Sequence, residues 1–462
     1  MIHINNKIKN TVNSDKWRNC FHIQPPTGLL NDPNGLIYHN GTYHIFYQWH
    51  PDAPCHGLKY WNHVTSIDLV HWKQDDRILK PDSIYDSHGA YSGSAFVVNN
   101  EIQLFYTGNT RDEADKRIPF QLQATLNQER IDHKRVLIDS IPEGYTDHFR
   151  DPKVFSIHGG YAMIIGAQRL DHTGTAVIYT SPDLENWTFE SELFTNLIDH
   201  SYMWECPDVF ALDGKDFLLF CPQGSLNKPE KETNVYPNTY LSGDLDIQKW
   251  ELKNHASMRL LDYGFDFYAA QTFLDEHNRR VMIAWIGAAD GDYPTERYQW
   301  AHVLTIPRVL TQKHGYLYQT PHPQLKTLRK SCVDISTMLS RYELIVTNIT
   351  DDFDIELYTN NNETLKLTFD SKTHILKLDR SSFTHKVSLD RGEVRSIKME
   401  DALNNLQVFR DTSTVEIFIN NGKYTMTARF FPKDISGKVR INTLDDNLHV
   451  DYYELEDVNH DI

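Results

Sequence analysis

Five segments of this chain share one form: an apolar strand, a tight turn and a second apolar strand. They read GLIYHNGTYHIFYQ (35–48), SAFVVNNEIQLFYTG (94–108), KVFSIHGGYAMIIGAQ (153–168), DVFALDGKDFLLFCPQG (208–224) and TFLDEHNRRVMIAWIG (272–287). Four of the turns, Asn40-Gly41, Asn99-Asn100, Gly159-Gly160 and Asp213-Gly214, use residues that tolerate positive φ, as two-residue hairpins require. The fifth, near His277-Asn278, is less typical. The second strands recur at roughly 60-residue intervals, a period of blades or arrays. A second repeat runs alongside: SIDLVHW (66–72), SPDLENW (181–187) and SGDLDIQKW (242–250) each set Ser-x-Asp-Leu shortly before a Trp. We read it as a recurring turn whose Trp plugs the gap between sheets. The expectation is an all-β chain whose residues 1–320 form a five-bladed β-propeller, an architecture that limits exposed strand edges by radial closure.

Past TPHPQLKTLRKS (320–331) the repeat stops. Residues 321–333 read as a linker and 334–462 as a C-terminal β-sandwich, because FDIELYT, TLKLTFD, HILKLDR, STVEIFINN and YTMTARFF alternate apolar and polar residues. No catalytic motif lies there, and its expected role is structural.

The hairpin offsets give the chemistry. Asp32 lies eight residues before Asn40, Asp151 eight before Gly159, and Glu205 eight before Asp213. An isolated Asn-Asp-Pro-Asn-Gly turn would need no explanation beyond turn propensity. Three carboxylates at one offset in three blades converge on one mouth of the central channel instead. Packed like charges raise one another's pKa, so such a cluster needs a purpose. Metal binding is disfavoured, since no ordered calcium loop and no HExxH helix is present. Glycoside hydrolysis uses one ionised carboxylate and one protonated carboxyl across the scissile bond. Trp49, Trp61, Tyr91, Trp204, Tyr268 and Trp285 cluster beside these motifs and offer ring faces to a sugar.

Charge and composition exclude other classes. Lys plus Arg is 46 against 63 Asp plus Glu, a net charge of -17, which repels nucleic acid and anionic membranes. The opening MIHINNKIKNTVNSDKWRN has no apolar core of a secretory signal, and no run reaches the ~18 apolar residues of a membrane helix. Cys20, Cys55, Cys206, Cys221 and Cys332 are scattered and form no CxxC pair. A reduced, cytoplasmic protein without disulfides or zinc is expected.

NDPNG, FRDP and ECPD, with YSGSA (91–95), YGFDFYAAQ (263–271) and YQWAHVLTIPR (298–308), resemble in order the blocks of glycoside hydrolase family 32, the β-fructofuranosidases. The resemblance covers nearly the whole chain. It implies that Asp32 is the nucleophile, Glu205 the general acid/base and Asp151 the transition-state stabiliser. It also implies that Asn31, Gln48, Ser92, Arg150 and Asp266 contact the fructosyl ring, with Trp61, Tyr91 and Tyr268 as further substrate-binding positions. Glu205 would start protonated, favoured by its acidic neighbours. No cofactor and no metal is implied; the partner is a small sugar or sugar phosphate, and the protein a monomer or homodimer.

Two positions depart from the family pattern. Ala270 stands where Pro is common, and His56 where many invertases carry Trp. Around His56, CHGLKYWNHVTS (55–66) resembles the bacterial members that hydrolyse sucrose 6-phosphate, as do RDEADKRIPFQ (111–121) and PEGYTDHFRDP (142–152). The expectation is that His56, helped by Lys59 or by Arg111 and Arg117, favours a 6-phosphate on the glucosyl ring. Unphosphorylated sucrose, short fructans and fructosyl transfer would use the same three acids. A carbohydrate-binding propeller with a dead site is disfavoured because all three are present.

Overall fold

A computed structural model describes residues 6–197, 201–224, 236–388, 391–442 and 447–458. The outer ends of the two expected domains, 1–5 and 459–462, lie outside the described residues. Beyond the helix Asn6–Asn13 and two short 3-10 turns, the regular structure described is β.

Five antiparallel sheets follow one another along the chain, each a run of sequential strands. They begin at Gly28–His39, Ala90–Val98, Tyr145–Ile157, Met203–Leu212 and Tyr268–Leu274. The five repeated hairpins join the first and second strands of these sheets. Asn40 and Gly41 have φ of 49° and 80°, Asn99 and Asn100 49° and 65°, and Asp213 and Gly214 46° and 78°. The third turn needs positive φ at Gly159 (85°) and the fifth at Asn278 (59°). The residues that marked the turns are those that adopt this conformation at low cost.

The sheets pack in a cycle. Each first strand contacts the first strand of the next sheet, and the fifth contacts the first. Buried apolar clusters fill the gaps in the same order. Trp61 and Leu104 lie between sheets one and two, Phe105 and Met163 between two and three, and Ile164 and Leu218 between three and four. Phe217 and Met282 lie between four and five, and Ile45 and Ile283 between five and one. Trp300–Ala301 then runs parallel to the start of the first strand, pairing Gly28 with Trp300 and Leu29 with Ala301.

Two Ser-x-Asp-Leu repeats are the same turn. Ser66 Oγ accepts from the amides of Asp68 and Leu69, and Ser181 Oγ from those of Asp183 and Leu184. The third repeat is different, because Asp244 pairs with Lys215 and the turn moves on to Asp246, which accepts from the Gln248 amide. Trp72, Trp187 and Trp250 all pack into the inter-sheet clusters, as expected of plugs.

The remaining strands form two sheets, of six and five strands, facing a shared core that includes Leu344, Leu357, Leu367, Val408, Ile417 and Met426. Phe353–Asn360 and Glu363–Asp370 alternate buried and half-buried positions as the sequence pattern predicts. Thr414–Ile419 and Tyr424–Arg429 do not, being buried throughout. Their polar face lies against the first five sheets instead of water. There Arg308 donates to Glu416 Oε2 at 2.6 Å, His22 bridges Asp411 (2.8 Å) and Glu416 (3.0 Å), and the Thr425 and Thr427 hydroxyls donate to Asp262. The expected linker is only partly one: Arg329–Cys332 is already an edge strand paired with His449–Leu455.

Candidate active site

The ladder between first and second strands shifts register at one comparable place in every sheet. The shifts fall between Leu30 and Pro33, Ala90 and Gly93, Arg150 and Lys153, Glu205 and Asp208, and Tyr268 and Gln271. Such bulges re-aim a strand's side chains. Asp151, Cys206 and Ala269 pass through the left-handed region there, with φ of 68°, 50° and 51°, a conformation that is unfavourable for residues with a Cβ. The bulged strands deliver Asp32, Asp151 and Glu205 to one cavity of about 240 Å³. The equal offsets from the hairpin turns therefore translate into convergence.

Asp32 accepts from the Ser92 hydroxyl at 2.5 Å and the Asn31 amide at 3.1 Å. These contacts end a relay of donors. Lys59 Nζ donates to Asn31 Oδ1 (2.8 Å), Asn31 Nδ2 to Gln48 Oε1 (2.5 Å), and Gln48 Nε2 to Ser92 Oγ (2.8 Å). Burial pushes the Asp32 carboxyl above its usual range, the Ser92 hydrogen bond opposes this, and the Glu205 charge adds to it. Burial pulls Lys59 down to about 7, against the attraction of Asp32. Asp151 is likewise raised, mainly by burial and despite Arg150, and accepts from the Cys206 amide at 3.0 Å.

Glu205 is held from both sides. Arg150 reaches Oε1 through Nη2 (2.6 Å) and Nε (3.1 Å), while the Gln223 amide (2.5 Å) and the Tyr268 hydroxyl (2.6 Å) reach Oε2. Tyr91, Tyr268 and Trp285 supply aromatic walls.

Of the substrate-binding positions named from the sequence, Asn31, Gln48, His56, Tyr91, Arg150 and Tyr268 line the cavity. Ser92 is buried behind it, touching Asp32. Two others are placed differently. Trp61 is fully buried between sheets one and two, its indole donating to the Tyr91 carbonyl at 3.0 Å. Asp266 is buried against the C-terminal sheets, accepting from Tyr293 Oη (2.5 Å), Arg380 Nη1 (3.0 Å) and the Arg429 amide (2.8 Å). Its carboxylate braces the interface because two arginines of the second half need a buried counter-charge. Trp49 and Trp204 are core residues as well.

The expected phosphate group of cations also changes. His56 stands exposed at the cavity, where loss of water on the side facing the cavity and then the Lys59 charge lower its pKa, so it is a weaker cation than the sequence implies. Arg111 pairs with Asp115 on its own exposed hairpin, and neither Arg111 nor Arg117 is among the cavity-lining residues. Gln223, Tyr236 and Arg391 are polar lining residues that the sequence did not single out as site residues. Arg391 comes from the C-terminal half, which therefore contributes to the site as well as to stability.

The first part of the chain, residues 22–321, matches the family model "Glycosyl hydrolases family 32 N-terminal domain", and residues 311–454 match "Glycosyl hydrolases family 32 C terminal". A sucrose-6-phosphate hydrolase of Vibrio alginolyticus is 44% identical over 438 residues, covering 93% of this chain and 90% of that one. Among solved structures, the sucrose-6-phosphate hydrolase of Lactobacillus gasseri superposes with a TM-score of 0.92 at 34% identity, covering 98% of this chain and 96% of that one. A Bombyx mori GH32 beta-fructofuranosidase, solved as a point mutant in complex with sucrose, gives 0.84 at 27% identity with 98% of both chains covered. With both family models matched in order, and relatives of this identity covering almost all of it, the chain belongs to glycosyl hydrolase family 32.

Proposed function

We propose that the protein is a retaining β-fructofuranosidase that hydrolyses sucrose 6-phosphate to glucose 6-phosphate and fructose. The observation that carries this reading is the delivery of three carboxylates, by equivalent bulges, into one cavity lined with sugar-type hydrogen-bond donors and aromatic rings. The cyclic packing of five sheets supports a five-bladed propeller over residues 1–320. The shared core of the last two sheets supports a β-sandwich over 334–462, with 321–333 between them.

In this reading Asp32, as the anion, attacks C2 of the fructosyl ring while Glu205 gives its proton to the glycosidic oxygen. The glucosyl product leaves and a covalent fructosyl-enzyme remains. Glu205, now ionised, takes a proton from the water that attacks C2, which frees fructose and regenerates Asp32. The relay ending on Asp32 supports the anion that burial disfavours. Tyr268 suits the alternation at Glu205, because a phenol can donate to the carboxylate and turn to accept from the acid. Asp151 receives fructosyl hydroxyls as charge develops at C2. A cytoplasmic location belongs to the same reading and rests on the scattered cysteines of the sequence.

Side-by-side kcat/KM values on sucrose 6-phosphate, sucrose and inulin test the proposal. We expect sucrose 6-phosphate first, sucrose second, and fructose released initially as the β-anomer. Equal kcat/KM for the two disaccharides would remove the phosphorylated substrate and leave an invertase. Release of the α-anomer would overturn the retaining mechanism.

A further inference from the structure

We propose that Arg391, carried into the cavity by the C-terminal half of the chain, is the cation that binds the 6-phosphate of the glucosyl ring. The inference rests on the substrate proposed above and assigns the group that recognises it.

A sugar phosphate carries nearly two negative charges at neutral pH, and this chain is itself strongly acidic. A local cation with free donors is needed to hold it. Among the described residues, three cationic side chains line the cavity: Lys59, Arg150 and Arg391. Lys59 donates to Asn31 at the head of the relay to Asp32. Arg150 is committed to Glu205 through two nitrogens. Both cations therefore serve the carboxylates on the fructosyl side.

Arg391 differs in each respect. Its side chain is only 9% exposed, yet among the described residues its one ion pair is a long one, 3.7 Å to the largely exposed Asp290. Its Nε is buried with no hydrogen-bond partner. A guanidinium desolvated to this degree without a close acceptor is unfavourable unless a ligand completes it. Its planar fork is also the geometry that holds a phosphate through two parallel hydrogen bonds.

Position agrees with chemistry. Glu205 protonates the glycosidic oxygen, so the glucosyl ring sits on the outer side of Glu205, with its 6-position remote from the scissile bond. From Glu205 a row of contacts leads to Arg391. Tyr268 touches the carboxylate, Tyr236 lies 6.0 Å from Tyr268 between ring centroids, and the Arg391 guanidinium lies 5.9 Å over the Tyr236 ring. Tyr236 Oη now donates to Asp290 at 2.7 Å, so a bound phosphate would compete with Asp290 for both the arginine and the phenol.

The test is kinetic, with Arg391→Met, Arg391→Lys and Asp290→Asn each assayed on sucrose 6-phosphate and sucrose. Arg391→Met should raise KM for sucrose 6-phosphate about ten- to a hundredfold with a much smaller change in kcat, lowering the preference over sucrose by the same factor. Competitive inhibition by glucose 6-phosphate should weaken in parallel, with inhibition by glucose unaffected. Arg391→Lys should restore part of the preference, since charge returns without the fork. Asp290→Asn, on an exposed side chain, should increase the preference by removing the competing acid. If Arg391→Met lowers kcat/KM for both sugars by one factor, the arginine is structural and the inference fails. It also fails, alone, if wild type prefers sucrose 6-phosphate and both Arg391 variants keep that preference. A wild type without the preference would instead refute the substrate reading on which the inference stands.

Discussion

The first five sheets and the last two solve different problems with the same element. In the first five, every first strand is interrupted by a bulge, and the interruption turns side chains toward a shared cavity. In the last two, Thr414–Ile419 and Tyr424–Arg429 pair without a register shift, and both of their faces are buried. One region gives up ladder regularity for the placement of functional groups. The other keeps this strand pair regular and uses its polar face, Glu416, Thr425, Thr427 and Arg429, as a docking surface. The bulges that open on the cavity carry the three carboxylates, whereas the register shift between Glu356 and Tyr358 lies in the C-terminal sheets away from it, and Arg391 reaches the cavity from outside any strand.

The largest effect should come from the irregular region. Asp32→Asn keeps the shape of the site and removes the carboxylate proposed as nucleophile, so kcat should fall by about 10⁴-fold or more. Glu205→Gln should lose about 10²–10⁴-fold on the natural leaving group and clearly less on an activated fructoside whose departure needs no proton. Equal losses for both variants on both substrates would remove the division of roles.

A stability effect should come next, from the docking surface. Arg308→Met leaves Asp262 buried without its cation and Glu416 with His22 alone, and should cost about 3–5 kcal/mol in denaturant unfolding. His22 adds a pH dependence. Burial alone would lower its pKa, but Asp411 and Glu416 raise it above the usual value. A raised folded pKa means that its contribution is complete below the unfolded pKa of ~6.5 and is lost as pH rises through the folded pKa. Stability of wild type relative to His22→Gln should therefore shrink on going alkaline. A difference that is flat from acid to alkaline pH would show that His22 is not charged there.

The smallest effect concerns the relay. Lys59 is held near 7, so the cation at the head of the chain Lys59–Asn31–Gln48–Ser92–Asp32 is lost as pH rises through neutrality. Wild-type kcat/KM should show an alkaline limb near that pH. Lys59→Met should lack the limb and run about tenfold lower on its acid side. An identical limb in the variant would assign it to another group.

Legibility in the sequence followed the physics of each feature. Hairpin turns were readable at Asn40-Gly41 and Asp213-Gly214 because positive φ restricts the residue type. Convergence of Asp32, Asp151 and Glu205 was readable because equal offsets from such turns are a counting argument. The bulges themselves were hidden: Asp151, Cys206 and Ala269 adopt left-handed φ without glycine, held there by tertiary context. Asp266 was misplaced because a motif neighbour need not share a direction, and its acceptors face Arg380 and Tyr293. Arg391 left no trace because chain distance conceals a contact made only after two sheet systems dock. His56 was readable as polar, but the lowering of its pKa by Lys59 was not, since that depends on a neighbour three residues on being turned toward the same cavity.

The parallel pairing of Gly28 with Trp300 sets a timetable for biosynthesis. The strand that carries Asp32 leaves the ribosome well before its inner-edge partner, which is among the last strands of the five-sheet region. At ~5–20 residues per second, everything between them takes roughly 15–55 s to make. During that interval the edge beside Asp32 stays open to other strands. Until residue 300 has emerged that edge has no partner from its own chain, and stalling upstream of that point would release a chain with the edge unprotected.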